Sequence, residues 1–184
     1  MQVSDQFHKS LCFPTFDASI PSIRTDMTTY ERTANWLTIL LLTLLTVLSI
    51  VGAVWLPSPI AIHYNLQGQP DRWGSPATLL ILPVIAVFTT SLLWVSQKIH
   101  PDFMNFPGPR TSENVARQLG NIRLMTASLR LFVVSLFLLI QGQSIWAKFY
   151  NHDQLSGWTI PCMISFVFVL VGFFVWRAYK LVPK

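Results

Sequence analysis

His63-x-Asn65, followed by Asp71-Arg72-Trp73-Gly74, is the densest grouping of recognition-type side chains in the sequence. An imidazole and a carboxylate this close along a turn-rich loop can bind a cation or the polar groups of a peptide. A histidine also titrates in the physiological range, so His63 on an outer surface could act as a pH sensor. The same residues have a structural reading. Asn65 and Asp71 fix turns through side-chain bonds to nearby backbone, and Trp73 anchors the loop at a membrane interface. Turn-making is the commoner use of such residues, and the sequence leaves both readings open.

Two further groups carry polar chemistry. His152-Asp153 lies in a second link and, with His63 and Asp71, would complete a His/His/Asp/Asp metal set. No recognised ligand spacing is present, so no metal or other cofactor is expected. Gln141 and Gln143 lie in an apolar run, two positions apart and hence about 200° around a helix. One is expected to bond across to another span and the other to face the external loop. Gluing helices together is the commoner role for such residues, and a polar path near 141–144 is the alternative. There is no Gly-rich phosphate loop, no HExxH and no nucleophile–base arrangement, so no catalytic residue and no enzyme is expected. Cys12 and Cys162 are far apart and form neither a disulfide framework nor a CxxC site.

The elements that must position these groups follow from composition. The 184 residues are 52% hydrophobic and only 11% charged, against about 25% charged in soluble domains. Such a chain cannot cover its surface with polar groups, and lipid is its natural solvent. The net charge of +5 forms no basic patch interleaved with aromatics, so nucleic acid is not an expected partner.

From Thr33 to Pro70 there is no Asp, Glu, Lys or Arg. Within that run, residues 36–56 have the roughly 20-residue length needed to cross about 30 Å of hydrocarbon. Trp36 and Trp55 bracket this first span as interfacial indoles do. Thr46, Ser49 and Gly52-Ala53 give it a small-residue stripe for close helix approach. A second span is expected over 77–97, with Pro83 near its start. A third covers 127–147, preceded from Thr111 by an amphipathic extension whose Val115, Leu119, Ile122 and Leu129 share a face. A fourth covers 158–176. The expected fold is therefore an all-α integral membrane protein of four transmembrane helices. Residues 1–32 read as a disordered tail, with Met27 an equally sensible start; residues 33–150 form a membrane domain; residues 151–184 carry the fourth span and a basic end.

Ten of the thirteen basic residues fall in the tail, the stretch between the second and third spans and the C-terminal end, and Arg130 lies at the same rim of the third span. Only Arg72 and Lys148 lie in the other two loops. Basic residues favour the cytoplasmic side, which puts both termini and the extension inside and the loop 57–76 outside.

The run Leu56-Pro57-x-x-Ile60-x-x-His63-Tyr64-Asn65-x-x-Gly68-x-x-Asp71-Arg72-Trp73-Gly74 resembles the signature of the membrane family called domain of unknown function 1648. Asn105-Phe106-Pro107 and Thr111-x-Glu113-Asn114-x-x-Arg117-Gln118 are similar to the same family's downstream segment. That domain also forms part of SdpI-type (sporulation-delaying-protein immunity) proteins. The resemblance implies a bacterial multi-pass protein of the cytoplasmic membrane, with an immunity or signalling association in some relatives. The expected role is binding a peptide toxin or a membrane partner protein through His63, Asn65, Asp71, Arg72 and Trp73. The alternative is a small transporter or permease component with its path near Gln141 and Gln143.

Overall fold

The computed structural model describes residues 27–150, 154 and 156–183. Residues 1–26 of the expected tail and the His152-Asp153 pair lie outside them. In chain order the elements are α1 (Thr29–Trp55), an antiparallel hairpin of β1 (Ile60–Tyr64) and β2 (Pro70–Gly74), a 3-10 turn (Pro76–Leu80), α2 (Ile81–Ser96), a short 3-10 turn (Pro101–Phe103), α3 (Ser112–Phe149) and α4 (Thr159–Lys180). Four helical stretches are long and apolar enough to cross a membrane: Thr29–Trp55, Pro76–Ser96, Ser112–Phe149 and Thr159–Lys180.

The first helix starts earlier than hydropathy alone places it. Thr28 accepts from Glu31 N at 3.2 Å, and Glu31 Oε2 accepts from Thr28 N at 2.7 Å. This capping box starts the helix and draws residues 29–32 out of the expected tail. Along α1 the buried positions Ala34, Thr38, Leu45, Ser49 and Gly52 recur at helical spacing and make one stripe. Gly52 lets the 3-10 turn come close: an added Cβ would stand 2.7 Å from Leu79 Cδ1, so the Leu79 side chain would have to shift. Pro83 sits in the first turn of α2, where its missing amide costs little, so the second span runs without interruption.

α3 is the central helix and packs on α1, α2 and α4. It runs unbroken for 38 residues, joining the expected extension to the third span. In its first turns Val115 is buried and Leu119, Ile122 and Leu129 are half-buried, but Asn114, Gln118 and Asn121 are buried too. These amides have partners. Asn114 Nδ2 donates to the Pro107 and Pro109 carbonyls, Gln118 Nε2 to Ala178 O at 2.8 Å, and Asn121 Nδ2 to Phe174 O at 2.9 Å. Helix–helix contact where lipid is as apolar as leucine relies on such bonds. Phe132 and Phe166 stack at 4.8 Å to complete the α3–α4 seam.

The same end of the bundle holds the buried charges. Arg123 of α3 donates Nε to Glu31 Oε1 at 2.8 Å, and Arg130 donates Nη2 to Asn35 Oδ1 at 2.7 Å. Both Glu31 and Arg130 are about 5% exposed. Glu31 precedes the uncharged run from Thr33 and belongs to the first turn of α1, within the stretch expected as tail. At the opposite end α1, the 3-10 turn and α3 close over Leu56, Ile60, Leu79 and Ile145. Trp36, Leu40, Val54, Phe88, Phe168 and Val169 are exposed on the outside of the bundle, as lipid-facing positions are.

Candidate functional site

The loop between the first two spans is not a run of turns but a two-stranded hairpin, which corrects the expectation of a purely helical chain. Its sequence explains why. Ile60-Ala61-Ile62-His63-Tyr64 is rich in β-branched and aromatic residues, and it is bounded by Pro57 and Pro59 before and by Asn65 and Gly68 after. Ile60 pairs with Gly74, Ala61 with Trp73, His63 with Arg72 and Tyr64 with Pro70, with register shifts on either side of His63. Pro70 opens β2 in a two-stranded ribbon, where a residue without an amide donor is tolerated.

Asn65 makes the turn. Its Oδ1 accepts from Gln67 N at 3.0 Å and Gln69 N at 2.9 Å, while Gly68 donates to Asn65 O and takes φ = 78°. Positive φ at Gly68 costs nothing sterically, whereas a residue with a Cβ would be strained there. The base of the hairpin is held by Ile60, buried against Leu56 and Leu79, and by Lys148 Nζ of α3, which donates to Pro59 O at 2.8 Å. Lys148 entered the sequence reading only as a charge; its grip on the hairpin depends on a contact 89 residues away and has no local signal.

Asp71 behaves differently from Asn65. Instead of capping a turn it meets His63 across the strands, Oδ1 to Nδ1 at 2.6 Å, with both side chains about half exposed. Arg72 and Trp73 are also exposed. The hairpin thus brings His63 and Asp71 into contact, with Arg72 and Trp73 exposed on the same strand and Asn65 making the turn at the tip. A surface carrying imidazole, carboxylate, guanidinium and indole can offer hydrogen bonds of both senses, a cation and a stacking face. Among the described residues no three His, Cys, Asp or Glu side chains come together as a metal set; His63 and Asp71 are a pair.

The two glutamines occupy different seams, as their spacing requires. Gln141 is fully buried and its amide lies 2.5 Å from Ser49 Oγ of α1. The orientation that satisfies both ends of the amide has its oxygen accepting from Ser49 Oγ and N, and its nitrogen donating to Leu79 O at 3.3 Å. Gln143 accepts from Thr159 Oγ1 of α4 at 3.3 Å. Gln143 also borders a groove of about 810 Å3 between α1 and α3, together with Leu41, Ser135, Gly142 and Trp146.

Four spanning-capable helices with an exposed hairpin after the first make this a multi-pass membrane protein. Residues 38–87 match the family described as Domain of unknown function (DUF1648). That match runs from within α1 through the hairpin into α2, so the hairpin is its centre; the Asn105–Gln118 segment lies beyond it. A 59-residue stretch is 32% identical to a protein of Archaeoglobus fulgidus described as uncharacterized, covering 28% of this chain. The chain spans about a third (32%) of that relative's length. No solved structure matches.

Proposed function

We propose that this is a binding protein of the bacterial cytoplasmic membrane, of the immunity or signalling type and not an enzyme, which engages a peptide or partner protein through its hairpin. In this reading both termini, the loop after α2 and the first, amphipathic turns of α3 are cytoplasmic, and the hairpin is outside. The imbalance of basic residues supports that orientation.

The observation that carries the reading is a division of labour within the hairpin. Asn65, Ile60 and Lys148 hold it in shape, whereas His63, Asp71, Arg72 and Trp73 stay exposed. Exposed polar and aromatic groups on a supported loop are the usual material of recognition.

The test is survival under a membrane-active peptide. Deleting the gene is expected to alter it, and His63→Ala or Asp71→Ala to reproduce the change at unaltered protein level. Full protection by both variants overturns the hairpin as the binding element. A cysteine at Gln69 is expected to react with an impermeant reagent from outside; labelling only after lysis reverses the orientation.

A second reading, a small transporter component, draws on the groove beside Gln143. It requires solute flux in vesicles above that of empty ones.

A further inference from the structure

We propose that the groove between α1 and α3 seats an acyl chain of an ester-linked membrane lipid, with the ester at the Gln143 amide. The inference goes beyond both functional readings. It needs neither the hairpin's partner nor a solute path, and a lipid chain seated there would fill the space that such a path requires.

The extent of the groove matches one leaflet. It follows α3 from Ser135 to Ala147, about 18 Å at 1.5 Å per residue, against roughly 15 Å for half of a hydrocarbon core. Its upper end adjoins Lys148, which grips the base of the hairpin. Trp146 is also at that end and packs on Tyr150 with ring centroids 4.2 Å apart, and such aromatic side chains gather at the membrane interface. The lower end reaches Leu41, near the middle of α1. A spanning partner helix needs a seam along its whole length of roughly 20 residues, and this groove stops halfway. A lipid chain has the matching length. The volume of about 810 Å3 also lies within the roughly 300–1,000 Å3 of small-molecule pockets.

Polarity runs the same way. The lower lining is Leu41, Leu138 and Leu139, and the hydroxyl beside them, Ser135 Oγ, already donates to Leu131 O at 2.8 Å. Gln143, Gln154 and Ser156 lie toward the upper end. Gln143 Oε1 accepts from Thr159 Oγ1 at 3.3 Å, which leaves its Nε2 without an acceptor among the described residues. A polar group on an apolar wall is costly while it lacks a partner. The ester carbonyls at the top of a lipid's chains supply the missing acceptor at that depth. Between the two ends Gly142 keeps the floor open, since a Cβ there would meet nothing within 4 Å.

The experiment reconstitutes the full chain in vesicles of dioleoyl phosphatidylcholine or of its dialkyl ether analogue. Native mass spectrometry counts the lipids retained on release. Gly142→Phe fills the groove. Gly172→Phe is the control: a Cβ on that α4 glycine also meets nothing within 4 Å, and Gly172 does not line the groove. Both replace a glycine inside a helix, so both are expected to fold; melting temperatures in detergent check this. Gly142→Phe is expected to retain the lipid about tenfold less than wild type, the equivalent of two buried methylenes, and Gly172→Phe to match wild type. Wild type is expected to retain the ester lipid about threefold better than the ether lipid, a preference that Gln143→Leu abolishes. If Gly142→Phe does not fold, that preference and its loss decide alone. Equal retention in wild type and Gly142→Phe overturns the proposal, as does an equal loss in the two glycine variants or an absent ester preference in wild type. Wild-type dimers that become monomers in Gly142→Phe would seat a second copy in the groove and overturn it too.

Discussion

Ser49 of α1 and Gln141 of α3 face each other 92 positions apart in the chain, 2.5 Å between side chains, with neither exposed to solvent. With Leu79 O as a further partner for the amide, this contact locks the first span, the 3-10 turn after the hairpin and the central helix. Gln141→Ala is expected to lower unfolding stability by about 2 kcal/mol, from the lost interhelical bond and the cavity it leaves. Denaturation in mixed micelles measures this. A loss of solute flux without a loss of stability would instead make Gln141 part of a path.

The hairpin variants are expected to rank by what each side chain supports. Asn65→Ala leaves the Gln67 and Gln69 amides without their acceptor and is expected to cost about 1–2 kcal/mol. His63→Ala and Asp71→Ala remove an exposed pair and are expected to cost no more than about 0.5 kcal/mol. Proteolysis of the loop in reconstituted protein reads the difference: cleavage rises in Asn65→Ala and stays near wild type in the other two.

At the opposite end buried Glu31 pairs with the part-buried Arg123. Glu31→Gln is expected to cost about 1–2 kcal/mol, because it weakens the cap on Thr28 and the ion pair with Arg123. The double variant Glu31→Gln, Arg123→Gln is expected to recover part of that loss. If the single and double variants melt together, the pair contributes nothing and the capping role of Glu31 alone explains its burial.

At Gly52 two effects oppose each other. An added Cβ would press on Leu79 Cδ1 at 2.7 Å and Ile145 Cδ1 at 3.3 Å, which costs about 1–3 kcal/mol in a packed seam. Alanine gains about 1 kcal/mol over glycine in a helix interior. Gly52→Ala is therefore expected to lie within about 1 kcal/mol of wild type. Gly52→Leu, with no room and less gain, is expected to fail to assemble. Circular dichroism against temperature distinguishes the two.

The spans were legible because lipid selects for composition and length, and both are local properties of the chain. Trp36 and Trp55 mark the expected limits of the first span, yet α1 begins seven residues before Trp36. The signal for that was present as Thr28-x-x-Glu31, a capping box outside the apolar run. The hairpin was hidden by its own prolines: Pro57, Pro59, Pro70 and Pro76 forbid a helix, and their density drew attention from the β-branched Ile60–Tyr64 between them. Asn114, Gln118 and Asn121 recur at helical spacing, a face that reads as solvated until α4 is laid against it. The pairing of His63 with Asp71 needed a cross-strand register that no residue spacing specifies.

The bonds from Gln118 and Asn121 end on main-chain carbonyls of α4, at Ala178 and Phe174. What those amides recognise is the pitch of a helix, since every helix offers carbonyls at that rise whatever side chains it carries. The last span is therefore docked by a sequence-tolerant grip. That grip leaves the side chains of the span's C-terminal half free to diverge, whereas its N-terminal half is read through Thr159 and Phe166, which meet Gln143 and Phe132.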